Sequence, residues 1–206
     1  MQKKSEPRAE RMQQVWLEIH GVAAEQCLAL GPDGVSTAKI AELAGISPRT
    51  FFNYFATKED AILGLGRIHL DDEFIREFIE NQGLTPLQRV VVLTARVLGT
   101  AFMSSGDPVR RQELAEKYPE LLARTSYSAM HGRELVMRAL ITEADVLWLG
   151  AEGMPTNNEE AFALVVLSFS MVAFAWQTDP GRLAVAGFEM LNETIDLFTK
   201  VLNQSG

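Results

Sequence analysis

Arg49 and Asn53 stand four residues apart in "GISPRTFFNYFATKED", residues 45–60, with Thr50 beside the first. A guanidinium matches the O6/N7 edge of guanine and a carboxamide the N6/N7 edge of adenine. Each forms two parallel hydrogen bonds that discriminate against a wrong base by about 1–3 kcal/mol. Residues four apart share one face of a helix, so the chemistry this pair suits is the reading of base edges. Between them and after them come four aromatic rings, Phe51, Phe52, Tyr54 and Phe55. Phe51 and Phe55, at i and i+4, are expected to face a core with Ile46, which leaves Arg49, Thr50 and Asn53 on the outer side.

Such side chains need a helix held at a fixed angle, and the preceding residues supply one. In "STAKIAELAGISPRTFFNYF", Ser36 is a good N-cap, and Ile40, Leu43 and Ala44 form one apolar edge of a two-turn helix. Gly45 falls where the chain must turn sharply, Ser47 caps the next helix, and Pro48 takes its first position, where a missing N–H costs nothing. Small Ala41, four residues before Gly45, allows the two helices to cross closely. The pattern is a helix-turn-helix whose second helix fits a major groove. A compact helical hairpin with an aromatic core and no nucleic acid is the alternative.

The rest of the chain is read as all-α, because apolar residues recur at three- and four-residue intervals almost throughout. Helices are expected near 8–30, 37–44, 48–54, 58–81, 86–104, 107–117, 119–142, 158–178 and 182–203. Thr57 and Asp60 approximate a capping box at the start of the fourth. The predicted organisation is a three-helix helix-turn-helix domain over 1–57, followed without a linker by a helical domain over 58–206.

With 206 residues, 47% hydrophobic and 22% charged, the composition is that of a globular protein rather than a disordered one. Cys27 is the sole cysteine and the chain opens without a basic segment leading into an apolar one, so a cytoplasmic home is expected. The charge-free run 161–178 is interrupted by Ser168 and Ser170, and its apolar part ends at Trp176. It is read as a buried helix too short for a bilayer, so no membrane partner is expected. The net charge of -8 argues against wholesale coating of nucleic acid. The acidity lies mainly late, however: residues 1–60 hold seven Lys and Arg against eight Asp and Glu, and the remainder twelve against nineteen. A DNA contact confined to the first sixty residues survives this test. The basic arm "QKKSEPRAER" suits an adjacent minor groove or a solvated tail.

The stretch "IAELAGISPRTFFNYFATKEDAIL" resembles the signature of the tetracycline-repressor (TetR) family, with its Ile-Ala, Gly-Ile-Ser turn, aromatic pair, Tyr-Phe and Lys-Glu at matching separations. The detailed resemblance covers about residues 15–63. It implies DNA contacts by Thr37, Ser47, Pro48, Arg49, Phe52, Asn53 and Tyr54, and a phosphate contact by Lys58. Phe52 departs from the family, which commonly has Tyr there, so an apolar contact replaces a hydroxyl. Cys27 departs where Phe is common. The resemblance further implies a regulator, not an enzyme, that acts as a homodimer on a palindromic double-stranded operator and is released by a small-molecule inducer. A small-molecule-binding helical protein with a vestigial helix-turn-helix is the alternative function.

For the inducer, Arg96 is notable amid the apolar run 90–102. A buried charge needs a partner, and a carboxylate such as Glu134 or Glu113 is expected ahead of an anionic ligand. Phe102, Met103, Met130, Met137 and Trp148 suit an adaptable apolar pocket. The segment "DPVRRQELAEKYPELLAR" resembles that of TetR-type regulators, some of which respond to acyl-CoA or other lipophilic compounds. A lipophilic inducer is therefore expected.

For the dimer, Ala184, Phe188, Leu191, Ile195, Phe198 and Leu202 repeat at spacings of four and three, and Val165, Phe169, Val172 and Trp176 stripe the preceding helix. Two such helices paired across a two-fold axis make a four-helix bundle. His20, His69 and His131 have no convincing ligand spacing, so neither a metal nor a cofactor is expected. Cys27 and His20, seven apart, are too distant along a helix for a nucleophile pair.

Overall fold

A computed structural model of the chain describes residues 8–102, 108–142, 155–179, 182–183 and 186–204. The basic arm before residue 8, Met103, Trp148 and Ala184 lie outside them. The helices are α1 (Arg8–Leu30), α2 (Thr37–Leu43), α3 (Pro48–Tyr54), α4 (Lys58–Leu63), α5 (Asp72–Glu80), α6 (Pro86–Phe102), α7 (Pro108–Lys117), α8 (Leu122–Thr142), α9 (Asn158–Thr178) and α10 (Gly187–Gln204). Short 3-10 turns occupy Pro32–Gly34 and Pro119–Leu121. No strand occurs among the described residues, as the all-α reading requires.

The expected boundary after residue 57 is not where the packing divides. One compact unit comprises Met1–Arg67 with Thr100–Ser128, the other Ile68–Gly99 with Ala129–Gly206. The reason is α4, which had been expected to open the second domain. Ala61, Ile62, Leu63 and Leu65 are buried with Ile19, Ala23 and Cys27 of α1, Ile40 and Ala41 of α2, Phe51 and Phe55, and Leu114 of α7. The start of α4 is fixed by a full capping box. Asp60 N–H donates to Thr57 Oγ1 and Thr57 N–H donates to Asp60 Oδ2, each at 3.1 Å.

The single helix expected over 58–81 is in fact two. Gly64 turns left-handed, at φ 60° and ψ 46°, and Leu65 N–H closes back on Asp60 O at 2.8 Å, with Leu65 buried beneath. This is a glycine-terminated helix end. The site also lacks room for a side chain, because a Cβ on Gly64 would lie 2.9 Å from Cε1 of His20. His20 is itself buried, and its Nδ1 donates to Ala61 O at 2.8 Å.

Helix α7 and the residue after it close this unit by donating to helix ends. Arg111 Nε reaches Leu63 O at 2.7 Å and Nη2 reaches Gly64 O at 3.1 Å. Lys117 Nζ reaches Leu28 O and Tyr118 OH reaches Cys27 O, both at 3.1 Å. The last carbonyls of a helix have no partner within it and carry partial negative charge. Three side chains therefore satisfy the C-terminal ends of α1 and α4. Burial lowers the Arg111 pKa to about 10, still far enough above neutral for the guanidinium to remain charged.

The second unit is built on two clusters. Phe78 of α5, Val90, Leu93 and Val97 of α6, Val136, Ala139 and Leu140 of α8, and Val165 of α9 form one. Val91 of α6, Met171, Val172 and Ala175 of α9, Leu183, and Met190, Leu191 and Ile195 of α10 form the other. Helix α9 has the expected bounds of 158–178, although its apolar run was read as too short for a bilayer. At 21 residues it is long and apolar enough, by length and composition, to cross a membrane. Within this unit it serves as a core helix common to both clusters. Its buried Ser168 exchanges a hydrogen bond with Thr94 at 2.8 Å, so neither hydroxyl is left unsatisfied.

Candidate nucleic-acid interface

Local chemistry sets the recognition helix. Ser36 Oγ accepts from Lys39 N–H at 3.2 Å and begins α2. Gly45, at φ 65°, turns the chain, and Ile46 N–H bonds to Ala41 O at 2.9 Å. Ser47 Oγ then accepts from Thr50 N–H at 3.0 Å to begin α3, with Pro48 at its first position. Phe51 and Phe55 are wholly buried and Ile46 packs against the same cluster, as their spacing predicts. Trp16 of α1 meets the Phe55 ring at 4.9 Å between centroids, which ties α3 to the long first helix.

The opposite face carries the polar set. Pro48, Arg49, Phe52 and Asn53 are exposed, while Thr37 and Thr50 are half-buried. Phe52 leaves 47% of its surface open, a large apolar ring between Arg49 and Asn53. The Ser47 and Thr50 hydroxyls lie 2.8 Å apart and bond to each other. Tyr54 is half-buried against the core. Arg49, Phe52 and Asn53 thus form one open edge backed by a rigid aromatic core.

Lys58 is placed differently from the simple phosphate anchor that the resemblance implies. Its Nζ donates to Pro32 O at 2.8 Å and to Val35 O at 3.1 Å, fastening α4 to the turn that leads into α2. An ammonium has three donors, so a phosphate contact is compatible with both bonds. Lys58→Met is expected to lower stability by about 1–3 kcal/mol, because two carbonyls lose a charged partner. An unchanged melting curve without DNA would show that these bonds contribute nothing.

The expected ligand and dimer residues fare unevenly. Arg96 is not buried: its side chain is 44% exposed and pairs with Glu77 at 2.8 Å, not with Glu134 or Glu113, and it lies over the Phe74 ring at 4.8 Å. The buried arginine of α6 is Arg89, which sequence reasoning passed over. It donates from Nε and Nη2 to Phe78 O at 2.9 and 2.6 Å. Both arginines line a cleft with Phe74, Glu77 and Phe78 whose free volume, about 10 Å³, is that of a single water. Met130 is 61% exposed and so is no pocket residue, while Met137 packs into the core of its unit and Phe102 ends α6.

Of the proposed dimer seam, Val165, Val172, Leu191 and Ile195 are buried within their own unit, and Phe169, Trp176 and Phe198 are half-buried there. A periodic stripe marks the buried face of a helix without saying which chain covers it. Phe188 and Leu202 remain exposed, as do Leu197 and Val201 on the other flank of α10 and Phe162 and Phe174 on α9.

Residues 21–63 match a protein family described as bacterial regulatory proteins, tetR family. No curated protein matches the chain. The matched segment runs from within α1 to the last residue of α4 and encloses the capped, glycine-turned pair α2 and α3. Over that segment the chain is similar to the bacterial regulatory proteins of the tetR family, in which the helix-turn-helix binds DNA.

Proposed function

We propose that the protein is a ligand-responsive repressor that binds a palindromic operator as a homodimer through Arg49, Asn53 and the exposed Phe52. The observation that carries the reading is the open polar edge of α3, held on a core in which Phe51 and Phe55 are wholly buried. Arg49 reads a guanine, Asn53 an adenine, and Phe52 packs on an apolar group such as a thymine methyl. Thr37, Ser47, Pro48, Thr50 and Tyr54 meet the sugar-phosphate backbone around them, and Lys58 offers its third donor there.

One recognition helix reads only a few base pairs, so two copies are needed, with half-sites about one helical turn apart. The exposed apolar residues of α9 and α10, Phe162, Phe174, Phe188 and Leu202, supply the pairing surface, in place of the buried stripe. The inducer is a small lipophilic compound. Its action cannot be the tilting of one long helix over 58–81, since that helix is broken at Gly64. The route runs instead through α7, whose Arg111 holds the end of α4. A ligand shifts this arrangement only by its differential affinity for the two states.

Arg49→Ala and Asn53→Ala, tested on duplexes carrying single substitutions in the half-site, are each expected to abolish preference at one position. The loss should be about 1–3 kcal/mol, with the other positions still read. Undiminished preference at every position in both variants would remove these two residues from the readout.

A further inference from the structure

Arg67 lies outside the helix-turn-helix and outside the segment matched to the tetR family, in the stretch that follows the broken end of α4. Its guanidinium Nη2 nonetheless donates to Phe52 O at 2.7 Å. That carbonyl belongs to the last turn of the seven-residue α3, where no later residue of the helix can accept the role of donor. A cation 15 residues away in sequence therefore caps the recognition helix. Arg67 is exposed, as are Phe52 and Asn53 beside it.

We propose that Arg67 is a DNA-backbone contact that also positions the end of the recognition helix, a role that rests on the reading of α3 as the base-reading element. An α-helix with its side chains is about 10–12 Å across, and the major groove is about 12 Å wide. A group bonded to the last turn of a short helix lying in that groove, next to its exposed Phe52 and Asn53, stands close to the phosphates of the groove wall. A guanidinium has five donors in a fixed fork, so the bond to Phe52 O and a contact to phosphate oxygens are compatible. Contacts of this kind position a protein without carrying sequence information.

The test is the salt dependence of duplex affinity for the full chain, its Arg67→Gln and Arg67→Lys variants, and Arg49→Ala as a reference, each on a preferred and an unrelated duplex. Removing one phosphate contact lowers the slope of log affinity against log salt by about 0.9. The deficit of Arg67→Gln should therefore shrink by about 3.5-fold between 50 and 200 mM salt. It should appear on both duplexes, and Arg67→Lys should restore the slope. A slope in Arg67→Gln equal to that of the unaltered chain overturns the proposal, whatever the change in affinity, because a residue that only caps the helix neutralises no phosphate. Arg67 is exposed, so the Gln variant is expected to melt with the unaltered chain. If the unaltered chain itself binds neither duplex in a salt-dependent way, the failure is of the base-reading assignment and takes this proposal with it. If it binds and Arg49→Ala loses preference while Arg67→Gln keeps the full slope, only Arg67 is wrongly placed.

Discussion

Replacing Gly64 with alanine is expected to lower the melting temperature by roughly 5–15 °C. Two independent effects combine. A residue with a Cβ held at φ 60° is disfavoured by about 1–2 kcal/mol. The new methyl would also stand 2.9 Å from the His20 ring, in a buried site where overpacking costs about 1–3 kcal/mol more. For a chain of this length each kcal/mol corresponds to roughly 2–4 °C. A double-mutant cycle with His20→Ala separates the two. The steric share disappears when the ring is gone and the backbone share stays, giving a coupling of about 0.5–3 kcal/mol. Additive losses would mean that the ring moves aside freely. A Gly64→Ala chain as stable as the original would contradict the left-handed end of α4 altogether.

The second large effect is expected at Arg111. Its burial is unfavourable for a cation, as the lowered pKa of about 10 shows, yet the two carbonyls it serves belong to the backbone and cannot be exchanged for apolar groups. Hydrogen bonds to a charged group contribute about 1.5–3 kcal/mol each, and an abandoned buried carbonyl costs about 1–3 kcal/mol. These outweigh the relief of removing the charge. Arg111→Met, which keeps much of the side-chain volume, is expected to lose about 2–4 kcal/mol by denaturant titration. Arg111→Lys should recover part of it, because one ammonium on a flexible stem replaces a fork that spans Leu63 O and Gly64 O. Equal stability of Arg111→Met and the original chain would remove α7 as the anchor of α4, and with it the proposed route from ligand to reader.

The two largest effects fall at places that sequence reading missed, and the reason is physical. The helix-turn-helix was legible because its signals are short-range. Ser36, Gly45, Ser47, Pro48, Thr57 and Asp60 each act on a backbone group within five residues of themselves. Gly64 was passed over within the single helix expected at 58–81. What makes it the end of α4 is His20, 44 residues earlier, and Arg111, 47 residues later, and neither is visible in local periodicity. Arg89 and Arg96 both interrupt an apolar helix. Only the placement of α5 decides that Arg89 is buried on Phe78 O while Arg96 sits at the edge with Glu77. The α9 and α10 stripes were read as a dimer seam, but Val165, Val172, Leu191 and Ile195 are spent on the core of their own unit. The candidate DNA residues were legible for the opposite reason. Phe51 and Phe55 fix which face of α3 is buried, and the remaining face follows from helical geometry.

The central claim is that the open edge of α3 reads DNA as one half of a symmetric pair. The measurement that tests it most directly is a selection of bound duplexes from random DNA by the full chain at moderate salt, read by sequencing. An enriched inverted repeat is expected, with half-site centres about 34–36 Å apart, one helical turn. Its preference at a guanine and an adenine should vanish in the Arg49→Ala and Asn53→Ala chains. Recovery of random sequence by a folded, ligand-free protein would contradict the account and leave the helix-turn-helix as a structural remnant in a protein whose work lies in its second unit.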